Sequence, residues 1–424
     1  MTQANRRMMM RLPAWVPSIT GKDYSLRMQT QRLLVLVSGI AGLVLTMGVA
    51  RFAYTPMIAY MQAQTGLSDA LAGWLAGWNY LGYLSGLLLV TRLRDLMLKD
   101  RLYRIALVLA VLTTALMALD DAPWLWGISR YLAGLATAGG LMLGSGLILN
   151  WLIRHDHRGE LGLHFSGIGL GILIGALAVE LVAPFIDWRG QWWLLTALGA
   201  VLLLPAWIWL PRPNHGTPLS AQHTAAATEP GPIWLWLLQG AYLCAGFGYV
   251  VNATFTVLIT EQQPALAGQG GAMWMLVGLA AAPAPLLWDR LARRVGYLSA
   301  LQWGYGLQIV GILLPVFSNT LAAAVASALL FGLTFIGIVS LVLTMVGVRY
   351  PTHPAAIMAR LTLGYGIAQI IAPVVAGELA ELSGHFDLSL IMVAIIMALG
   401  FGCLVIMRLL PQTETDRQSS AGRV

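Results

Sequence analysis

Buried arginines are the groups in this chain best suited to chemistry, because a guanidinium inside an apolar stretch can hold an anion through a planar fork of donors. Arg51 sits in the apolar run 33–61, within Gly48-Val-Ala-Arg-Phe-Ala-Tyr, and that run contains no Asp or Glu. Measured from Leu33 at ~1.5 Å per residue, it lies about 27 Å along a helix, in the far half of a ~30 Å hydrocarbon core. A charge there costs about 2.5–3.5 kcal/mol unless it faces protein, water or a counter-charge, so Arg51 is expected to point into the protein. Two roles stay open: coupling to a substrate or ion, and a structural one as an ion pair or an outward snorkel. Arg130 follows Asp120-Asp-Ala-Pro-Trp in the run 124–153, and pairing with Asp120 or Asp121 stands beside a functional role. Arg189, next to Asp187 in a short connection, reads as structural.

Intramembrane carboxylates would be the other half of proton coupling, since a desolvated carboxyl keeps its proton more tightly. Glu180 and Glu378 fall at nearly matching places in two apolar runs, but each lies within about a turn of a run's end, where ordinary solvation accounts for it. His164, in the first turn of its run, reads as a satisfied interfacial group. The remaining histidines are scattered over loops, Cys244 and Cys403 lie inside apolar runs, and Lys22 and Lys99 sit in no phosphate-cradling loop. No catalytic cluster, disulfide framework, metal site or cofactor is indicated, and ATP-driven transport within this chain is excluded.

The elements that must position these groups are membrane helices. At 58% hydrophobic and 10% charged residues, with mean hydropathy +0.74, the 424 residues cannot form a water-soluble domain. Apolar runs at 33–61, 71–91, 102–119, 124–153, 160–183, 190–210, 233–260, 271–288, 297–317, 320–348, 357–382 and 387–410 are each long enough to span a bilayer. Of the 25 Lys and Arg residues, all but Arg51, Arg130 and Arg189 fall in the tails, in alternate connections or at the run ends that adjoin them. The positive-inside bias assigns those connections, and both termini, to the cytoplasm. A net charge of +7 therefore faces anionic lipid headgroups and implies no nucleic-acid partner. Trp124, Trp126, Trp188, Trp192, Trp193, Trp207 and Trp209 cluster at run ends and read as interfacial belts.

Residues 211–232 break the pattern with a Pro, Ser, Thr and Ala stretch that reads as a flexible cytoplasmic linker. It divides an N-terminal bundle of six helices, 33–210, from a C-terminal one, 233–410, with tails at 1–32 and 411–424. No cleavage site follows the first run, so a signal peptide is not expected, and Met28 is a second candidate start. The halves echo one another: Gly48-Val-Ala-Arg-Phe-Ala-Tyr aligns with Gly248-Tyr-Val-Val-Asn-Ala-Thr, and Gly167-Ile-Gly with Gly364-Tyr-Gly. A duplicated six-helix unit is the mark of a transporter built around a central site. Neither Arg51, opposite Val251 or Asn252, nor Arg130, near Ala328, has a charged repeat-mate. Gly167-Ile-Gly-Leu-Gly-Ile-Leu-Ile-Gly175 gives one helix a face of small residues for close packing.

Trp288-Asp-Arg-Leu-Ala-Arg-Arg-Val-Gly296 resembles the loop between the eighth and ninth helices of the major facilitator superfamily, and Arg130-Tyr-Leu-Ala-Gly134 its fourth-helix arginine motif. Longer segments resemble the YbfB/YjiJ family: Gly48-Val-Ala-Arg-Phe-Ala-Tyr-Thr-Pro56, Ala72-Gly-Trp-Leu-Ala-Gly-Trp-Asn-Tyr-Leu-Gly-Tyr83, Gly246-Phe-Gly-Tyr249, Gly332-Leu-Thr-Phe-Ile-Gly337 and Gly364-Tyr-Gly-Ile-Ala-Gln-Ile-Ile-Ala-Pro373. The Gly-Pro pair of the superfamily's antiporter motif is missing from the fifth run.

The resemblance implies an all-α integral membrane protein with twelve transmembrane helices in two pseudo-symmetric six-helix bundles. It further implies a secondary transporter of the inner membrane that moves a small organic solute by alternating access, with protons the first coupling ion to test. Arg51 and Arg130 would make the cavity electropositive and favour an anionic solute. By the resemblance, Asn79, Tyr80, Tyr83, Asn252, Thr254, Trp274, Tyr365 and Gln369 lie on cavity-lining helices, with Tyr54 in the motif around Arg51. Asp289, with Arg290 and Arg293, is expected to gate through a contact with a neighbouring helix end. The partners expected are the lipid bilayer, the solute and the proton, with the protein a monomer. A polytopic membrane enzyme or a receptor is the competing class, which solute flux in vesicles would separate from a transporter.

Overall fold

A computed structural model describes residues 21–155, 161–213, 231–350 and 354–410. The first rod comprises α1 (Gly21–Leu43), a π-helical segment (Val44–Phe52) and α2 (Tyr54–Thr65). Then follow α3 (Asp69–Thr91), α4 (Leu96–Leu119), α5 (Pro123–Ala138), a short π-helical segment (Gly139–Leu143) and α6 (Gly144–Arg154). Next come α7 (Leu161–Val182), α8 (Trp188–Ile208), α9 (Pro232–Glu261), α10 (Gly270–Ala281) and α11 (Ala284–Val295). The chain ends with α12 (Tyr297–Phe317), α13 (Leu321–Arg349), α14 (Pro354–Ser383) and α15 (Asp387–Leu409).

Local chemistry sets the ends of these rods. Ser68 caps α3 by accepting from Leu71 N at 3.2 Å, and Asp187 caps α8 by accepting from Gly190 N at 2.8 Å. Pro123 and Pro232 open α5 and α9, where no helical N–H partner is lost. Gly66, at φ +72°, lets the chain turn between α2 and α3 in a conformation that side chains disfavour.

The surface is apolar, as lipid requires: Leu33, Ile105, Leu181, Ile208 and Leu399 are all exposed. Among the described residues, ten helical rods are long and apolar enough to cross a membrane, and an eleventh is made by α10 and α11 together. The twelfth expected span, α3, has the length at 23 residues. Trp74, Trp78, Asn79, Tyr80 and Tyr83 dilute its apolarity below that of the others. The rods differ in depth: 78% of the apolar window is buried in both the first rod and α9, against 28% in α8. Arg51 and the α9 aromatics therefore sit at the centre of the protein. There α3 packs on α5 and α14, α7 on the first rod and α10, and α9 on α14 and α15.

Several boundaries differ from the sequence expectation. The motif Trp288 to Arg294, expected in a loop, is helical and belongs to α11. Its apolar and basic residues alternate with helical period, and no turn residue occurs before Gly296 at φ +89°. The eighth span is bent by 46° between α10 and α11, at Ala282 and Pro283. Pro283 has no N–H for a helical ladder. Helix α1 begins at Gly21, inside the segment expected as a polar tail. Residues 214–230 of the linker, the C-terminal tail 411–424 and the first 20 residues lie outside the described residues. Of the tryptophans read as interfacial, Trp126, Trp188 and Trp192 are buried, with Trp126 and Trp188 packed edge to face at 5.7 Å.

Candidate functional site

The rod that carries Arg51 is not a regular α-helix where it passes the centre. Val44–Phe52 is π-helical, and Ala53 N bonds back to Gly48 O at 2.8 Å. Reaching five residues back widens the turn and leaves carbonyls for other donors. Helix α5 takes three of them: Thr137 Oγ1 donates to Thr46 O (3.0 Å), Arg130 Nη1 to Ala50 O (2.8 Å) and Arg130 Nη2 to Arg51 O (3.3 Å). On the other side α7 braces the same segment, since a Cβ at Gly48 would meet the backbone of Gly171. The row of small residues in α7 thus has a packing role on more than one face, because Gly169 and Gly278 let α7 and α10 approach as closely.

Arg51 is 5% exposed and its guanidinium carbon lies 4.4 Å from the Tyr80 ring centroid, 4.7 Å from Tyr83 and 5.6 Å from Phe52. No ion pair to Arg51 or Arg130 is formed by a described Asp or Glu, and Nε of each lacks a hydrogen-bond partner. Desolvated cation–π contacts at roughly 2 kcal/mol are of the size of the ~2.5–3.5 kcal/mol insertion cost. Rings alone can therefore hold Arg51 in place, yet they do not neutralise it. Arg130 lies over Tyr54, with its guanidinium carbon 4.4 Å from that ring's centroid. It makes no contact with Asp120 or Asp121, and Asp121 instead lies 3.8 Å from Arg189. Asn79 donates from Nδ2 to Arg130 O at 2.9 Å, and Tyr54 OH to Ala72 O at 3.1 Å, so both tie neighbouring helices together.

From Tyr80 the site continues across to α9. The Tyr80 and Tyr249 hydroxyls are 3.4 Å apart, with their rings edge to face. Tyr249 stacks on Phe335 at 5.4 Å and on Tyr365 at 6.1 Å, with interplanar angles of 21° and 18°. Tyr242 extends the stack beyond Tyr365 at 4.4 Å, and Phe331 beyond Phe335 at 5.1 Å. Trp274 meets Phe52 edge-on at 6.2 Å. The structure thus gathers Arg51, Arg130, Tyr54, Asn79, Tyr83, Tyr365 and Trp274 around one centre.

The remaining expected residues make other contacts. Asn252 lines a pocket between α9, α10, α12 and α13, where Thr256, Thr260, Gln263 and Ser327 stand among apolar side chains such as Ile259 and Met273. Thr254 and Gln369 are buried, and Gln369 Oε1 lacks a partner. Asp289 pairs with Arg293 at 2.8 Å one turn along its own helix, whereas a neighbouring helix end was expected; Arg290 is exposed beside them. His164 is buried with Nε2 2.9 Å from Ser145 Oγ and Nδ1 unpartnered, so only one of its ring nitrogens is satisfied. Glu180 accepts from Tyr60 OH at 3.3 Å and Glu378 from Trp74 Nε1 at 3.1 Å. Tyr249, Tyr242 and Phe335 escape sequence reasoning as site residues, because an aromatic in an apolar helix looks like core; the signals were Tyr249 in Gly246-Phe-Gly-Tyr and Phe335 in Gly332-Leu-Thr-Phe-Ile-Gly.

Comparison with known proteins agrees with this architecture. The chain is 28% identical over 189 residues to the uncharacterized transporter YgaY of Escherichia coli O157:H7, and that stretch covers 44% of this chain and 47% of the relative. It thus spans about half the length of that protein. A longer likeness, 22% identity over 91% of this chain and 98% of the relative, is to NiaP of Bacillus subtilis (strain 168), a protein named for niacin/nicotinamide transport. In fold, the chain is similar to the nucleoside transporter NupG in a mutant crystal structure, with a TM-score of 0.71, 14% identity, and coverage of 88% of this chain and 99% of that one. The family described as uncharacterised MFS-type transporter YbfB matches residues 43–407, and the chain belongs to that family of multi-pass major facilitator transporters.

Proposed function

We propose that this transporter moves a small organic anion across the cytoplasmic membrane by alternating access, and that Arg51 takes the solute's carboxylate. The observation that carries the reading is a buried guanidinium ringed by Tyr80, Tyr83 and Phe52, with no ion pair to a described acid. A carboxylate arriving there gains a charge-assisted bond in a low-dielectric setting. The division at the linker, with halves 33–210 and 233–410 rocking about this centre, is supported by α3 packing on α14 and α7 on α10. Coupling to protons, cytoplasmic termini, a monomeric state and residence in a bacterial inner membrane complete the reading.

The test is a thermal-shift screen of anionic, neutral and cationic solutes on purified protein, since a true ligand stabilises the fold by mass action. A hit is then carried into proteoliposome flux with Arg51→Lys and Arg51→Ala. Lysine keeps the charge without the planar fork, so partial flux is expected for it and almost none for alanine. A folded Arg51→Ala protein with wild-type flux, or a cationic solute, overturns the reading.

A further inference from the structure

Five rings from three helices form a row: Tyr242, Tyr365, Tyr249, Phe335 and Phe331. Successive members are within 18° to 21° of parallel. Aromatic cores usually mix edge-to-face with offset contacts, so a row with a shared plane direction is a distinct arrangement. The widest step is Tyr249 to Tyr365 at 6.1 Å, against 4.4 to 5.4 Å for the others. That step also adjoins Arg51, through the Tyr80 hydroxyl on Tyr249 and the Tyr80 ring on the guanidinium.

The burial pattern marks the same place. Arg51, Tyr83, Tyr249, Tyr365 and Phe335 keep 5% to 8% exposure in mid-helix, while Val250 and Val251 beside them keep none. These residues put a cation and aromatic rings within one small region of the centre. A solute that fits both has a flat π-system bearing a carboxylate.

We propose that the solute is a small aromatic carboxylate, its ring entering the row by parting the Tyr249–Tyr365 step and its carboxylate on Arg51. This rests on the anion reading above and adds the demand for a planar ring. Base-on-aromatic and ring-on-ring contacts are stronger than the contact of a puckered ring of equal size, because only a flat face matches a flat face.

The experiment compares three probes by thermal shift and calorimetry on detergent-purified protein: benzoate, its saturated counterpart cyclohexanecarboxylate, and neutral benzamide. Soluble-phase binding avoids the leak of protonated weak acids through vesicles. Benzoate is expected to bind at least about tenfold more tightly than either of the others, roughly the gain from one aromatic stack plus retention of the charge. Tyr365→Leu should lose that preference for benzoate over cyclohexanecarboxylate, and Tyr365→Phe should keep it while controlling for folding. Equal binding of benzoate and cyclohexanecarboxylate overturns the aromatic proposal and leaves the anion reading intact. Benzamide binding as well as benzoate overturns the anion reading instead. Absence of binding by all three overturns the aromatic-carboxylate site.

Discussion

Arg130 holds the backbone of the residue before Arg51: its Nη1 donates to Ala50 O at 2.8 Å, across from α5 to the π-helical segment. Nη2 reaches the next carbonyl, that of Arg51, at 3.3 Å. A side chain whose two donors span consecutive carbonyls fixes both the path of the segment and the direction in which Arg51 leaves it. In the proposed mechanism this bracing gives Arg130 a positioning role and leaves Arg51 as the group that would meet the solute.

Arg130→Lys separates these roles. An ammonium sits on a shorter stem and lacks the rigid fork whose two nitrogens each meet one carbonyl, so it is expected to leave one of them unpaired. One buried carbonyl left unpaired costs about 1–3 kcal/mol, so unfolding in detergent should shift by that order. Affinity for an anionic solute should weaken several-fold with Arg51 still present. Stability and affinity equal to wild type would show that Arg130 does not set the position of Arg51.

Orientation is tested by thiol labelling in a variant lacking Cys244 and Cys403. If the basic connections face the cytoplasm, the linker lies inside and the α9–α10 connection outside. Ala226→Cys should resist an impermeant reagent in intact cells, and Ala265→Cys, in an exposed turn, should react. The reverse pattern would invert the topology.

Asp289→Asn probes the gate. Its contact with Arg293 is an exposed pair on one helix, a kind that adds little to stability. The melting temperature should stay within error of wild type. A gating role would appear as altered reactivity of cavity cysteines from the two sides, and unchanged reactivity on both would reduce Asp289 to a surface charge.

Arg51 was legible in the sequence because a charge in an apolar run has few ways to exist, and its burial follows from cost alone. The close approach of α7 was legible from the spacing of Gly167, Gly169 and Gly171 for a similar reason: small residues leave room that something must fill. The π-helical turn was not, since Val44-Leu-Thr-Met-Gly-Val-Ala-Arg-Phe is compatible with an ordinary helix and the wider turn depends on donors from α5. The same holds for the ring row. Tyr242, Phe335 and Tyr365 come from helices far apart in sequence, and only the rotation of all three makes their planes agree. The motif at Trp288 misled because it was read as the loop it resembles, while Trp288 itself is buried in a helix and donates from Nε1 to Leu333 O at 2.7 Å.

Closure at the end opposite the basic connections gives the last prediction. Glu381 Oε2 accepts from Ala70 N at 2.9 Å in the first turn of α3, and Glu378 Oε1 from Trp74 Nε1 at 3.1 Å. Carboxylates are favoured at a helix N-terminus by its unpaired N–H groups and dipole. Here the acids sit on α14, so the bonds join helices of the two proposed halves. They are exposed, and water can replace them at low cost, as a latch that opens in every cycle requires. Removing both acids, by Glu381→Ala with Glu378→Ala, should favour the conformer open at this end. Spin labels at the exposed positions Ala63 and His385, in the cysteine-free background, would read it as a several-fold larger long-distance population. A label pair at Arg92 and Arg360, on the basic side, should shorten in step if the halves rock as rigid bodies. An unchanged distribution at Ala63 and His385 in the double variant would mean that apolar packing of α3 on α14 alone keeps this end shut.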